Sequence, residues 1–396
     1  MTDQKKVQEQ GTQKISRRNV LKAAVAAGGA AALGFPAIVK SQGPIAMRWQ
    51  STWPQKDIFH EYALVFAKKV NDLTGGDLMI EVLPAGAVVP AFQLLDAVSK
   101  GTLDGGHGVL VYHYGKSNAL ALWGSSPAFG MDANTLLAWH KYGGGKELLN
   151  KLYASLGANV VSFPYGPMPT QPLGWFKKPI TKPDDFKGLK FRTVGISIDL
   201  FTGLGAAVNA LPGGEIVPAM DRGLLDAAEF NNASSDRILG FADVSKVCML
   251  QSYHQNAEQF EIMFNKTKYD ALPAKMKALI EYAVEAASQD MSWKAIHRYS
   301  QDYIELQTKD KVRFYRTPDS VLQKQLEIFD GVLAKYSAQT PMFKEIAESQ
   351  SQFAQRAVKW YLDTQVGSRM AYNHYFAKKA AAKPAAPAAK PEPKKS

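Results

Sequence analysis

The chain has 396 residues, 46% of them hydrophobic and 21% charged, with one cysteine and a formal net charge of +11. A single cysteine excludes an internal disulfide and a cysteine-based metal cluster. The charge sits at the ends: residues 1–42 carry seven Lys or Arg against two Asp or Glu, and residues 378–396 carry six Lys against one Glu. The body between them is close to +1, which removes the case for a basic nucleic-acid groove.

Residues 1–15 are polar, and Ser16-Arg17-Arg18-Asn19-Val20-Leu21-Lys22 leads into an Ala/Gly-rich apolar run ending near Val39. A charged stretch before a short, weakly apolar core is a secretory signal, here of the twin-arginine type. The run is broken by Pro36 and is too dilute for a spanning helix of about 20 strongly apolar residues. We therefore expect a signal peptide over 1–42, cleavage between Ala32 and Gly43, and a folded protein delivered to the periplasm. The body exceeds the usual single core, so two domains are expected.

Met47–Gln50 reads as a strand. Asp57 caps an amphipathic helix running to Leu73, with Ile58, Tyr62, Val65, Phe66 and Val70 on one stripe, and Gly75-Gly76 ends it. Leu78, Ile80 and Val82 alternate as a strand, and Ala91–Lys100 forms a helix stopped by Gly101. Strands alternating with helices at this spacing imply a parallel α/β sheet. An internal echo then appears: Ala97–Gly106 and Ala219–Ala228 each run helix, Gly, turn, Leu-Asp and two small residues. Small residues there let another backbone or a ligand approach closely. Two similar α/β lobes with their strand ends facing one cleft would follow.

Gly174-Trp175-Phe176 reads as a strand passing to the second lobe, and Glu258–Asn265 as the strand that returns. The expected division is lobe I at 43–170 and 260–310, lobe II at 171–259, a helical C-terminal region at 311–377 packing on the lobes, and a disordered Ala/Pro/Lys tail at 378–396. Within the later part, a long helix is expected over Ala274–Thr308, a strand at Val312–Tyr315, a helix from Asp319 and a last helix near Met342–Asp363. The long helix would brace both lobes; its stripe would equally serve a helix-exchanged dimer, and a homodimer through the C-terminal helices is the expected oligomer. The tail reads as a solubilising segment, with contact to anionic lipid or cell wall as the alternative.

Signatures of common enzymes are missing: no His-Glu-x-x-His, Gly-x-Ser-x-Gly, phosphate loop or dinucleotide motif opening a helix. Gly105-Gly106-His107-Gly108 precedes an apolar strand, which suits no phosphate cradle. His107 and His113 lack a second ligand at metal spacing and read as structural or pocket-lining. Cys248, in Val247-Cys248-Met249-Leu250, reads as a buried small hydrophobe. Arg192 ends a strand where its planar guanidinium can hold a carboxylate by two parallel hydrogen bonds. Glu229 stands at the corresponding end of Leu225–Ala228. It either pairs with a basic residue or holds a hard cation, to which Gln171 can add a neutral oxygen.

The twin-arginine start, Gln50-Ser51-Thr52-Trp53-Pro54, Leu103-Asp104-Gly105-Gly106, Gln171-x-x-Gly-Trp-Phe, Gly188-Leu-Lys-Phe-Arg192, Pro212-x-x-Glu215 and Leu225-Asp-Ala-Ala-Glu229 occur in that order. Together, over roughly residues 43–365, they resemble the DctP-type solute receptors of TRAP transporters, nearest the branch that takes 2-oxo acids or lactate with a metal ion. The resemblance implies a two-lobed periplasmic-binding-protein-like α/β fold with a central cleft, a long bracing helix and a helical C-terminal region. It implies that Arg192 holds the substrate carboxylate and that Gln171, Glu229 and the backbone carbonyl of Phe230 bind sodium or calcium bridging to the substrate. Tyr112 or Tyr114 would donate a hydroxyl to the carboxylate, and Trp53 would line the pocket. The branch often has Trp where Phe230 stands, and Asn231-Asn232 and the basic tail have no counterpart in its pattern.

The expected function is therefore a receptor, not an enzyme, delivering a small 2-oxo or 2-hydroxy monocarboxylate to TRAP membrane permease subunits. The alternatives are a C4-dicarboxylate or sugar-acid receptor without metal, a secreted hydrolase or lyase with Glu229 as general base, and a ligand-sensing partner of a membrane signalling protein.

Overall fold

The computed structural model describes residues 43–377; the expected export signal and basic tail lie outside them. The chain opens on β1 (Ile45–Ser51). Asp57 then caps α1 (Ile58–Leu73): its side chain accepts the Phe59 N–H, satisfying one of the free donors of the first turn. Ile58, Phe59, Tyr62, Phe66 and Val70 form the buried face, while Val65 is only half-buried. Gly75 and Gly76, both at positive φ, end the helix. In β2 (Leu78–Leu83), Leu78 and Ile80 are buried and Met79 and Glu81 exposed, the alternation of a half-covered strand.

A helical stretch ending as α2 (Leu94–Ser99) leads into β3 (Gly105–Val109). Helices α3 (Ala133–Tyr142) and α4 (Gly145–Ser155) precede β4 (Val160–Met168). Next come β5 (Gly174–Phe176), β6 (Lys190–Arg192), α5 (Ser197–Gly203), β7 (Ala207–Asn209), α6 (Gly213–Asp221), β8 (Ala227–Ala228), α7 (Ala233–Leu239) and β9 (Val247–Leu250). The chain returns through β10 (Glu258–Asn265) and continues as α8 (Ala274–Thr308), β11 (Arg313–Arg316), α9 (Asp319–Gln339), α10 (Pro341–Thr364) and α11 (Ser368–Tyr372).

Two sheets result, ordered β2-β1-β3-β10-β4 and β11-β9-β5-β8-β6-β7. Their common part is the same motif twice. β1 pairs in parallel with β2 and β3, and β6 pairs in parallel with β7 and β8. An antiparallel strand then follows in each, β10 beside β3 and β5 beside β8. The internal echo of the sequence is therefore real architecture. Leu103 N–H donates to Ala97 O at 3.2 Å, and Leu225 N–H to Ala219 O at 3.3 Å. The next residue clasps the neighbouring strand: Asp104 accepts the Arg48 N–H at 2.6 Å, and Asp226 the Lys190 N–H at 3.1 Å.

The small residues after Leu-Asp are required by close approach. A Cβ on Gly105 would come within 2.5 Å of the Met263 carbonyl oxygen of β10. Gly174 of β5 has φ +139°, and a Cβ there would stand 2.7 Å from the Ala228 carbonyl oxygen.

The 35-residue α8 touches both halves. Its first part buries Met276, Ile280, Ala283 and Ala287 and packs on α1 and β4, while α7 also packs against it. Near its end Asp302 and Glu305 pair with Arg237 of α7, and Tyr299 meets the Tyr62 hydroxyl at 3.3 Å. One hydrophobic core runs from Trp49, Phe66 and Phe264 through Tyr62 and Met291 to Trp175, Phe241 and Cys248; Cys248 is buried, as its apolar setting implied. β11 adds a parallel edge strand to the second sheet.

Candidate functional site

Arg192 ends β6 and is almost fully buried, at 1% exposure. A guanidinium is kept there only by partners. Its Nε donates to Leu211 O at 2.8 Å, and its Nη1 to Glu229 Oε1 at 2.8 Å and Glu229 O at 3.0 Å. Glu229, directly after β8, is buried, and burial raises its pKa against the lowering pull of Arg192. The two readings of Glu229 thus meet in one geometry: it is ion-paired through Oε1, while Oε2 has no hydrogen-bond partner among the described residues.

Arg192 borders a narrow pocket with a volume of about 10 Å³. Trp53, Phe59, Val109, Tyr112, Met168 and Phe230 supply its apolar and aromatic wall; Gln171, Asn231, Gln255 and Glu258 supply polar groups. Four buried atoms at or beside Arg192 lack a hydrogen-bond partner among the described residues: Arg192 Nη2, Glu229 Oε2, Gln171 Oε1 and Gln255 Oε1. Such groups cost about 1–3 kcal/mol each when left unmet, so their convergence marks a polar ligand site.

Glu258, the first residue of β10, was not singled out from sequence. It accepts the Gln171 amide at Oε2, 2.7 Å away, so Gln171 keeps Oε1 as its free oxygen. Burial, and then the nearby Glu229 carboxylate, push the Glu258 pKa well up. Two carboxylates and one guanidinium in so dry a place favour added positive charge. Glu229 Oε2 and Gln171 Oε1 are hard oxygens of the kind sodium and calcium take. These residues fit a cation. Among the described residues no three His, Cys, Asp or Glu side chains converge as a metal cluster, so an ion here would also draw on backbone and ligand oxygens.

Tyr112 lies on the cavity wall, its hydroxyl pushed up to about 12 by burial. Tyr114 is not among the lining side chains: its hydroxyl donates to Asp199 Oδ2 at 2.8 Å and meets Tyr336. Trp53 does line the cavity, and His107 holds it there. The indole N–H donates to His107 Nδ1 at 2.7 Å, and His107 Nε2 bonds the Tyr165 hydroxyl. That pattern needs a neutral imidazole, and burial lowers the His107 pKa to about 3. His113, in the turn after β3, instead bonds Glu261 Oε2 of β10 at 3.0 Å. Phe230 packs beside the guanidinium, 5.8 Å from its ring centre. Asn232 caps α7 by accepting the Ser234 and Ser235 N–H groups, which places its neighbour Asn231 on the cavity.

Comparison with known proteins is consistent with this arrangement. Residues 50–340 match the family described as bacterial extracellular solute-binding protein, family 7 (DctP), and residues 14–34 match the twin-arginine translocation signal sequence. The chain is 31% identical over 319 residues, 79% of its length and 86% of the relative's, to a monocarboxylate 2-oxoacid-binding periplasmic protein of Nostoc sp.. Three TRAP solute-binding protein structures, each covered in full, align with it. That of Bordetella bronchiseptica, a mixed-occupancy dimer with calcium and picolinate, has 28% identity over 86% of this chain and a TM-score of 0.80. That of Colwellia psychrerythraea, with calcium and pyruvate, has 29% over 84% and 0.77. That of Pseudoalteromonas atlantica, with sodium and pyruvate, has 28% over 82% and 0.75.

Proposed function

The chain belongs to bacterial extracellular solute-binding protein family 7, the DctP family, and on that premise we propose how its cavity takes a small 2-oxo or 2-hydroxy monocarboxylate. It is a TRAP solute receptor, exported by the twin-arginine route to the periplasm. The family and fold are those of receptors, and no bond is made or broken in the role proposed here. The TRAP membrane permease subunits are its partners.

The observation that carries the reading is the set of unmet buried atoms, Arg192 Nη2, Gln171 Oε1 and Glu229 Oε2, around one small cavity. Arg192 offers Nη2 to the ligand carboxylate, since its Nε and Nη1 are already spent on Leu211 and Glu229. The Tyr112 hydroxyl, kept protonated by burial, is a second donor. Gln171 Oε1, Glu229 Oε2 and the Phe230 carbonyl would hold sodium or calcium. When bound, the cation supplies positive charge for the ligand's carboxylate and 2-oxo oxygens. Glu258 fixes the amide of Gln171, and Trp53, Phe59 and Phe230 exclude water and limit ligand size. The two sheets with their helices act as lobes that close on the ligand, with the segments before β5 and before β10 as the crossings and α8 as brace.

A homodimer is proposed on one further observation. Tyr282, Trp293, Ile296 and Ile304 leave an apolar stripe exposed along α8, at 63%, 64%, 68% and 53%, a face suited to a second copy.

Calorimetric titration of ligand-stripped protein with pyruvate, longer 2-oxo acids, lactate and succinate, with and without calcium or sodium, tests the ligand reading. One-to-one binding of a monocarboxylate that needs the cation supports it. Cation-independent succinate binding would move the protein to the dicarboxylate class and remove the cation role of Glu229.

A further inference from the structure

The pair Asn231-Asn232, between Phe230 and α7, is bonded in a way that aims one amide into the ligand pocket. Asn232 caps α7: its Oδ1 accepts the Ser234 and Ser235 N–H groups, each at 3.0 Å. Its Nδ2 is therefore the end that faces Asn231, and it donates to Asn231 Oδ1 at 2.9 Å. With its oxygen taken, Asn231 turns its own Nδ2 to Met168, where the acceptor is the thioether sulfur at 3.2 Å. A thioether is a weak acceptor, and the amide has a second N–H to give. Asn231 and Met168 both line the pocket, and Asn231 is 4% exposed. Gln255 lines it too, at 1% exposure, and its Oε1 has no hydrogen-bond partner among the described residues. A poorly met donor and an unmet acceptor thus share one pocket with Arg192.

We propose that Asn231 and Gln255 select the ligand by a hydroxyl group beyond its 2-oxo carbon, so that the preferred solute is a hydroxylated 2-oxo monocarboxylate. The inference rests on the ligand reading proposed above and narrows it to one class. A hydroxyl both accepts and donates: it takes the Asn231 N–H and gives its own proton to Gln255 Oε1. A methyl group in the same place leaves both side chains unmet, which a site built for hydrogen bonding penalises. A second carboxylate fits less well, because it has no proton for Gln255 and adds negative charge beside Glu258. An ammonium group cannot accept from Asn231. The narrow pocket limits the ligand to a short chain.

The test is calorimetric titration of the ligand-stripped mature protein, in calcium, with hydroxypyruvate and with 2-oxobutyrate, which carry a hydroxyl and a methyl at the same position. We expect hydroxypyruvate to bind about tenfold more tightly, the worth of one neutral hydrogen bond. Asn231→Leu and Gln255→Met, close in volume to the parent side chains, should each bring that ratio near one. Asn232→Ser keeps a cap on α7 but removes the amide that orients Asn231, and should lower the ratio part of the way. A purely structural role for Asn231 would weaken both ligands alike and leave the ratio unchanged. A parent ratio of one or less, or a full ratio in Asn231→Leu, overturns the proposal. Should Asn231→Leu fail to fold, a full ratio in both Gln255→Met and Asn232→Ser overturns it instead. Binding of pyruvate and 2-oxobutyrate by the parent with no preference for hydroxypyruvate sinks this inference alone, whereas no binding of any 2-oxo acid sinks the ligand reading with it.

Discussion

Glu258 accepts the side-chain amide of Gln171 at 2.7 Å, a contact between residues 87 positions apart. That hydrogen bond decides which end of the amide is free. In Glu258→Gln the partner cannot ionise when a cation enters, and its amide can itself donate, so Gln171 loses the bias that presents Oε1. Outer partners of metal ligands typically carry about 10–100-fold in affinity. We expect a loss of that size in calcium-dependent pyruvate binding by calorimetry, with thermal stability equal to or above the parent. Unchanged affinity would remove Glu258 from the site.

Arg192 and Glu229 neutralise each other in a buried pair. Removing one partner strands the other charge, at a cost of about 3–5 kcal/mol. Arg192→Ala should therefore be strongly destabilised in urea unfolding, and Arg192→Ala/Glu229→Gln should recover part of the loss. Both should lose ligand binding. A double variant as unstable as the single one would show that the pair is not the cause.

The cation should be visible in stability. A ligand present at about 100 times its dissociation constant adds about 2.7 kcal/mol. Pyruvate with calcium should raise the melting temperature, pyruvate alone much less, and excess chelator should return it to the lower value. An equal rise from pyruvate in thoroughly chelated, sodium-free buffer would contradict a bridging ion.

Asp57 and Asp236 are buried carboxyls whose pKa values burial raises, to about 6 and about 7. A raised folded pKa means stability present below the ordinary value of 3.8 and lost as pH rises through 6 to 7. His107, His140 and His254 act oppositely: burial lowers each to about 3, so their contribution is present above the ordinary 6.5 and lost as pH falls. Asp57→Asn keeps an N-cap and removes the charge. It should gain on the order of 2 kcal/mol at pH 8 and almost nothing near pH 4. Urea unfolding at the two pH values checks this; an equal effect at both would refute it.

Asp104 and Asp226 perform the same clasp in the two sheets, so their removal should cost alike. Asp104→Ala and Asp226→Ala should each lose about 1–2 kcal/mol, adding in the double variant because they share no partner. Unequal or strongly coupled losses would show that the two copies are not equivalent in energy.

Elements carried by local signals were readable in the sequence. Asp57 announces α1, Gly75-Gly76 and Gly101 stop helices, and the run from Ala274 to Thr308 is one helix. Arg192 and Glu229 were found because each ends a strand of the repeated motif. Glu258 was missed because its use depends on Gln171, a pairing that only the folded chain creates. Tyr112 and Tyr114 could not be separated because they flank His113 in a tight turn. About three residues per turn there send side chains two positions apart in different directions. Asn232 did carry a local signal, an Asn before Ser234-Ser235 that suits a cap, and with it Asn231 was within reach.

The two crossings of the chain, from the first sheet into β5 and from the second back into β10, govern the order in which it can finish folding. The first sheet lacks its fourth strand until Asn265 has been synthesised, and the second lacks Arg313–Arg316 until later still. Neither half is complete as a nascent piece, and the long-range pairings close slowly. A threading export route would deliver the halves outside in sequence and unpaired. The twin-arginine route instead lets the ribosome release the whole chain, both sheets lock, and only then the finished receptor cross.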